Sequence, residues 1–203
     1  MNHFNLRKIA FFSCLTLGTL SWQASAAPAS DELARSIEQD YSDRLGALFT
    51  HFHRNPELSL TEFKTAKRLA EELRSSGFQV TEGVGGTGVV AILENGDGPL
   101  VMMRGDMDGL PVKEKSGLDY ASTATQIDPI TGTEVAVMHA CGHDVHITSL
   151  IGTARQMSER KDQWSGTLML IGQPAEERIR GAKAMMDDNL WQRFGQPDYA
   201  LAF

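Results

Sequence analysis

The sequence predicts an α/β fold, on three observations. Apolar runs typical of buried strands occur between residues 78 and 103, at 166–171 and at 198–203. Amphipathic helical patterns precede, separate and follow these runs, as expected for helices packed on a sheet. Segments rich in acidic or thiol side chains follow several strands, and open α/β sheets bind ligands beyond the carboxyl ends of their strands. The fold class therefore favours an enzyme.

Residues 1–26 have the pattern of a signal peptide. Arg7 and Lys8 supply positive charge, residues 9–20 are largely apolar, and Ala24-Ser25-Ala26 has the small-x-small form of a signal-peptidase site. The apolar run is short for a membrane-spanning helix. We expect cleavage after Ala26 and export to a bacterial periplasm or the medium; the alternative is an amphipathic helix retained in the cytoplasm.

Loss of this leader changes the charge and the cysteine content. The leader holds two of the 19 basic residues and no acidic one, so 17 then face 26 acidic residues and the net charge falls from −7 to −9. An acidic chain argues against nucleic acid or an anionic membrane as a partner. Cys14 also leaves, and the lone Cys141 is then either buried or held by a metal in an oxidising compartment.

Two amphipathic helices are predicted at the start of the mature chain. The first spans residues 30–52 and ends before Pro56, which disfavours helical backbone at the residue preceding it. His53, near its end, either caps helix carbonyls or binds a metal. The second helix opens at Ser59-Leu60-Thr61-Glu62, a capping-box pattern, and ends near Gly77.

The strands of the predicted sheet follow. Residues 78–80 and 89–93 are joined by a glycine-rich turn that lacks the lysine of a phosphate-binding loop. Asn95-Gly96-Asp97-Gly98 predicts a hairpin to the next strand, 100–103. Asp106 and Asp108 come at the end of that strand and point to the same side if the backbone stays extended. They either serve a metal site or lie in a solvated turn.

The densest group of metal-binding side chains lies at residues 138–146, after an irregular segment at 109–137. It contains His139, Cys141, His143 and His146. Thiolate and imidazole are ligands that zinc and its neighbours prefer, and Cys141 and His143 are near enough in sequence to converge on one ion. The alternative is a polar loop in which Cys141 packs as a small apolar residue.

The remaining chain predicts a helix at 147–157, a strand at 166–171, a helix at 182–190 and a strand at 198–203. Pro174 disfavours helical backbone at the preceding residue, which favours a strand-end loop for Glu176 and Glu177. The alternative places these two glutamates in the acidic first turn of the next helix.

Three of these segments together resemble peptidase family M20. They are Arg104-Gly105-Asp106-Met107-Asp108-Gly109-Leu110-Pro111, His139-Ala140-Cys141-Gly142-His143-Asp144 and Gln173-Pro174-Ala175-Glu176-Glu177. They are most similar to the amidohydrolase branch that contains hippurate hydrolase and N-acyl-amino-acid amidohydrolases. The resemblance covers nearly all of residues 27–203. It implies a three-layer mixed sheet with helices on both faces, as in a zinc-peptidase-like catalytic domain.

The resemblance also implies a site for two divalent metal ions. Cys141, His143 and Glu177 would be ligands, Glu176 the general base, and Asp108 the aspartate that supports the metals. Three further residues match positions of the family and are expected to support the site without an assigned role: Asp106, His139 and His146. The thiolate favours zinc, with manganese, nickel and cobalt as alternatives.

The implied activity is hydrolysis of an amide bond in an N-acyl amino acid or a small peptide, by a homodimer. Members of the family are much longer, with further ligand histidines and a dimerisation or lid domain. Residues 27–203 would then be the N-terminal part of a truncated catalytic domain, expected to be inactive alone. Two competing hypotheses are an exported metal- or ligand-binding module without turnover and a thiol hydrolase that uses Cys141.

Overall fold

The computed structural model describes residues 29–203, so the predicted leader at 1–26 lies outside the described residues. The helices are α1 (Ala29–Asp40), α2 (Gly46–Arg54), α3 (Phe63–Ser75), α4 (His143–Glu159), α5 (Gly181–Asp187) and α6 (Leu190–Phe194). The strands are β1 (Gln79–Val84), β2 (Gly88–Asn95), β3 (Leu100–Asp106), β4 (Thr125–Ile127), β5 (Glu134–Ala136), β6 (Gly166–Gln173) and β7 (Tyr199–Ala202). Between residues 29 and 203, none of the helices has the length and apolar character needed to cross a bilayer.

Five strands form one mixed sheet in the order β1-β2-β6-β3-β7. The β1–β2 and β2–β6 pairs are antiparallel, whereas β3 runs parallel to both β6 and β7. In the register of the parallel pair, Asp106 at the end of β3 lies opposite Gln173 at the end of β6. The segments that follow these two strands therefore leave the sheet side by side.

Helices cover both faces of this sheet. One apolar cluster packs α2, α3 and α4 against the sheet and includes the fully buried Leu69, Leu150 and Leu170. A second cluster, with Met169 and Met185, packs α5 and α6 against the opposite face. Neighbouring residues of β6 thus point into different clusters, as the alternation of side chains along a strand requires. The predicted three-layer α/β fold with a mixed sheet is confirmed.

The predicted hairpin at Asn95–Gly98 is wrong. The chain does reverse there, but β6 inserts between β2 and β3 and pairs with both. Strand β6 is buried over almost its whole length, because in the central position of the sheet its apolar side chains are removed from water more completely than at an edge. A local turn signal does not include this later strand, and the local prediction therefore fails.

Four smaller predictions also need correction. The predicted helix 30–52 is interrupted by a π-helical turn at Tyr41–Leu45, and the predicted helix 182–190 divides at Asn189, whose φ is 58°. The irregular segment 109–137 contains the small antiparallel pair β4–β5. Helix α3 is capped by a different glutamate from the predicted one: the Glu57 carboxylate accepts bonds from the Thr65 amide (2.7 Å) and hydroxyl (2.9 Å).

Candidate metal centre

Three segments meet beyond the ends of β3 and β6. The first is the end of β3 with Asp106 and Asp108, and the second is the loop after β6 with Glu176 and Glu177. The third is the start of α4 at His143, which follows Gly142 in the left-handed conformation (φ 82°). Glycine adopts that conformation without steric cost, so the chain can turn sharply into the helix. All three predicted segments therefore reach one place.

Asp108 holds the loop that carries the two glutamates. Its carboxylate is buried and accepts bonds from the amides of Glu176 and Glu177, both at 3.0 Å, and from the Ser59 hydroxyl at 2.5 Å. Burial alone would raise the pKa of Asp108, but hydrogen bonds from His143, Ser59 and the two amides hold that pKa below its usual range. The carboxylate is thus charged and fully engaged, in agreement with a supporting role.

His143 presents one ring nitrogen to the centre of the site. Its Nδ1 donates to the Asp108 carbonyl oxygen at 2.7 Å, which leaves the lone pair on Nε2. That Nε2 lies 3.9 Å from Glu177 Oε1 and 4.0 Å from Glu176 Oε2. Two ligands about 2.1 Å from one tetrahedral cation are roughly 3.4 Å apart, so these separations suit a shared ion better than hydrogen bonds. The pKa of His143 is raised, because the Asp108 and Asp106 carboxylates outweigh the effect of burial.

Glu177 belongs to this donor set, and the exposed Cys141 lies beside it. A hydrogen bond with Glu177, together with burial and neighbouring carboxylates, raises the pKa of the Cys141 thiol to about 11. Glu177 Oε1 is buried and has no hydrogen-bond partner among the described residues. A divalent cation would satisfy this oxygen and reverse the electrostatics at the thiol, because a coordinated thiol loses its proton. The chemistry of the residues present therefore fits a metal ion.

Asp106 and His146 form a second group beside the first. Asp106, His143 and His146 offer ligand atoms within 4.8 Å of one another, as do His143, Glu176 and Glu177. In this structure Asp106 Oδ1 bonds His146 Nδ1 at 2.6 Å, and its Oδ2 pairs with Arg104 at 2.7 Å. Both oxygens of Asp106 thus have protein partners. The orphan oxygen belongs to the Glu177 group, which makes that group the better candidate for a metal.

His139 and His53 do not join the donor set. His139 is buried, its two ring nitrogens have no partner in the described part of the chain, and burial lowers its pKa to about 4. His53 bonds Asp144 at 2.6 Å and Glu114 at 3.1 Å through its two nitrogens. Burial lowers the pKa of His53, but these two carboxylates raise it more. His53 is therefore neither a carbonyl cap nor a metal ligand in this arrangement.

The sequence alone missed two residues that act around the site. The capping-box pattern predicts a helix-capping role for Ser59, yet its hydroxyl donates to Asp108. Glu114 lies in the irregular segment, and no pattern in the sequence marks it as the partner of His53. For Ser59, the one available signal in the sequence is that it directly follows the Asn55-Pro56-Glu57-Leu58 turn. Nothing comparable existed for the second.

A mixed sheet with a thiol, an imidazole and two glutamates beyond its strand ends is the arrangement of an α/β domain with a candidate metal centre. The model of "Peptidase family M20/M25/M40" matches residues 102–203. The chain belongs to this family.

Individual relatives agree with that membership. A hippurate hydrolase of Campylobacter jejuni is 41% identical over 152 residues, which cover 74% of this chain and 36% of the relative. A thermostable carboxypeptidase 2 of Saccharolobus solfataricus is 45% identical over 139 residues, 66% of this chain and 33% of the relative. A solved structure from Bacillus subtilis, described as a dinuclear metal binding peptidase from the M20 family, has a TM-score of 0.66 at 33% identity, over 76% of this chain and 41% of that one. The chain thus spans about a third of the length of these two curated relatives.

Proposed function

We propose that the protein carrying this chain is a metal-dependent amidohydrolase. The single observation that carries the proposal is the position of Glu176. Its side chain is 41% exposed and its Oε2 lies 4.0 Å from His143 Nε2, while the neighbouring Glu177 faces the same nitrogen and the Cys141 thiol. A site that only binds a metal has no need of a free carboxylate beside the ligands, whereas hydrolysis requires a base at that point.

Cys141, His143 and Glu177 would hold the metal. When bound, a pair of divalent ions would lower the pKa of an attacking water and polarise the scissile carbonyl. Glu176 would take the proton from the water and later deliver it to the leaving amine. Asp108 fixes the backbone of both glutamates, because it accepts a bond from each of their amides. Thiolate ligation favours zinc, and manganese, nickel and cobalt are the alternatives.

We infer that the substrate is an N-acyl amino acid or a small peptide. The relatives named hippurate hydrolase and carboxypeptidase support this class. A thiol hydrolase is disfavoured by the surroundings of Cys141, whose pKa of about 11 leaves almost no thiolate at neutral pH without a metal. Its nearest partner is also a carboxylate, which repels the charged nucleophile instead of activating it.

We further propose export with cleavage after Ala26, and a homodimer for the whole protein. N-terminal sequencing of the protein recovered from a periplasmic fraction tests the first, and its mass in solution tests the second. A retained Met1 or a monomeric mass would contradict them. The prediction that residues 27–203 alone are inactive is tested by measuring amide hydrolysis with that polypeptide, and turnover by it would contradict the prediction.

The proposed roles are tested by Glu176→Gln and Glu177→Gln in the whole protein. Release of a free amino acid from N-acyl amino acids is measured together with the metal content. We expect Glu176→Gln to lower kcat by roughly 10²–10⁴-fold with the metal retained, as for loss of a general base. Glu177→Gln should lose metal instead. Glu159→Gln, at an exposed position near the end of α4, is the control and should change neither.

Two outcomes would contradict this assignment. Metal loss in Glu176→Gln with retention in Glu177→Gln would show that the two roles are exchanged. Turnover that survives exhaustive chelation would remove the metal from the mechanism altogether.

A further inference from the structure

Glu62 is a fully buried carboxylate that joins three distant segments. Its Oε1 accepts bonds from the amides of Leu60 at 3.0 Å and Ala175 at 2.7 Å. Its Oε2 accepts a bond from the Thr87 hydroxyl at 2.6 Å. Leu60 precedes α3, Thr87 lies in the turn between β1 and β2, and Ala175 lies in the loop after β6. Each partner is a group that would be unsatisfied if the carboxylate were removed.

The bond to Ala175 belongs to a larger arrangement. Ala175, Glu176 and Glu177 direct three consecutive amides at buried carboxylates, the first at Glu62 and the other two at Asp108. Ala175 is also buried in left-handed backbone, with φ 46°. An alanine rarely adopts this conformation, and it persists only where the surroundings hold it. Glu62 supplies the bond at that residue.

Helix capping accounts for only one of the three bonds of Glu62, the bond from the Leu60 amide just before α3. The amide inside the first turn of that helix, on Thr65, bonds Glu57 instead. Glu62 and Thr87 are thus a buried carboxylate–hydroxyl pair that contacts the loop after β6, which carries Glu176 and Glu177 and is called the glutamate loop below. Glu57 and Thr65 are a chemically equivalent pair directed at the helix. The second pair is a natural control for the first.

We propose that Glu62 is a positioning residue of the metal centre: it fixes the loop at Ala175 and so sets where the side chains of Glu176 and Glu177 stand relative to His143. The effect on metal binding follows from the geometry alone, and the effect on turnover rests on the proposed function. Residues that orient ligands from behind typically change metal affinity or activity by roughly 10–100-fold when lost.

The test compares Glu62→Ala and Thr87→Val with Glu57→Ala and Thr65→Val in the whole protein. Zinc affinity is measured by competition with a chromophoric chelator, and hydrogen exchange is measured at the amides of residues 175–177. We expect Glu62→Ala to weaken zinc binding by roughly 10–100-fold and to speed exchange at these amides. Thr87→Val should also weaken zinc binding and speed exchange, but less than Glu62→Ala does, because the carboxylate stays and loses only the bond from the Thr87 hydroxyl.

Glu62→Gln supplies the rescue. Its amide oxygen can accept from Ala175 and Leu60, and its amide nitrogen can donate to Thr87, so zinc affinity and slow exchange should return. The two control variants should lower the unfolding midpoint with zinc affinity unchanged. If Glu62→Ala does not fold, Thr87→Val with its control Thr65→Val decides the question.

The proposal is overturned if zinc affinity and exchange stay at wild-type values in Glu62→Ala or, where that variant does not fold, in Thr87→Val. It is equally overturned if the Glu57 and Thr65 variants weaken zinc binding as much as their counterparts. Neither readout needs turnover, so an inactive protein that shows the expected pattern would reject the proposed function and keep the positioning role. An active protein in which Glu62→Ala keeps wild-type zinc affinity and exchange would keep the proposed function and reject the positioning role.

Discussion

Replacement of Asp108 by asparagine tests how firmly the glutamate loop is held. Asp108 accepts from two backbone amides and one hydroxyl, and an asparagine keeps only one of its two oxygens. The new NH₂ group must then face the amide of Glu176 or of Glu177. Both groups are hydrogen-bond donors, so no bond can form between them. Loss of one charge-assisted bond costs roughly 1.5–3 kcal/mol, and the buried amide left unsatisfied costs roughly 1–3 kcal/mol more. We expect Asp108→Asn to lower the free energy of unfolding by about 3–5 kcal/mol.

Urea unfolding of the metal-free protein measures this cost, and chelator competition measures zinc affinity in the same samples. Asp40→Asn is the control, since Asp40 is also buried and binds Arg155 through both oxygens, at 2.8 and 2.9 Å. Arg155 lies about 18 Å along α4 from His143, at 1.5 Å per residue. The control should lose stability and keep its zinc affinity. If Asp108→Asn lowers the free energy of unfolding by less than about 1 kcal/mol, the scale of one ordinary hydrogen bond, Asp108 does not hold the glutamate loop as inferred.

Three further predictions concern the same loop and its ligands. Cys141→Ser replaces a soft ligand by a weak one, so zinc affinity by chelator competition should fall sharply, and an unchanged affinity would remove Cys141 from the ligand set. Gly181→Ala would place a Cβ 1.5 Å from the Pro174 carbonyl oxygen, so the backbone before the glutamates must move; thermal unfolding should show a loss of about 1–3 kcal/mol or more, and an unaltered midpoint would contradict it. Burial raises the pKa of Glu62 above its ordinary 4.5, against the bonds from Thr87 and Ala175. The folded state then holds this proton more tightly than the unfolded state, so the stabilisation is complete below about pH 4.5 and declines as the pH rises through the folded pKa. Urea unfolding from pH 4 to 8 should show a steeper decline in wild type than in Glu62→Gln, and parallel curves for the two would contradict it.

The elements of the fold were predictable wherever the pattern was local. Apolar runs gave the strands, helical spacing gave α3 and α4, and Pro174 correctly indicated a loop after β6. The order of strands was not predictable in the same way. Whether β2 pairs with β3 or with β6 depends on which strand gains most from the central position, and that depends on residues 70 positions away. The π-helical turn at Tyr41 leaves no clear mark in the sequence, whereas the break at Asn189 falls on a residue type that adopts left-handed backbone more readily than most.

The candidate ligands were predictable because ligand chemistry is a property of side-chain type. A thiol, an imidazole and paired glutamates can be seen in any sequence. The structure places His143 Nε2 3.9 Å from Glu177 Oε1, with Cys141 beside Glu177, and the role of these three residues as ligands stays a prediction. The residues that position them could not be found in this way. Ser59 and Glu62 stand in a pattern that serves helix capping equally well, and only the tertiary fold decides which amides and hydroxyls they meet.

The charge of the site explains why such positioning is needed. Asp106, Asp108, Glu176 and Glu177 surround one imidazole, and of these carboxylates Asp106 alone is paired with arginine in the described contacts. Like charges this close repel strongly in a partly buried setting, so side-chain contacts alone would let the glutamates swing apart before a cation arrives. Three consecutive backbone amides donate bonds to the buried carboxylates of Glu62 and Asp108, and these bonds hold the loop through its backbone instead of through the repelling glutamate side chains. The ligands can therefore keep their positions before a metal binds. Of the two carboxylates responsible, Asp108 belongs to a motif that indicates the site and Glu62 lies outside all three of them.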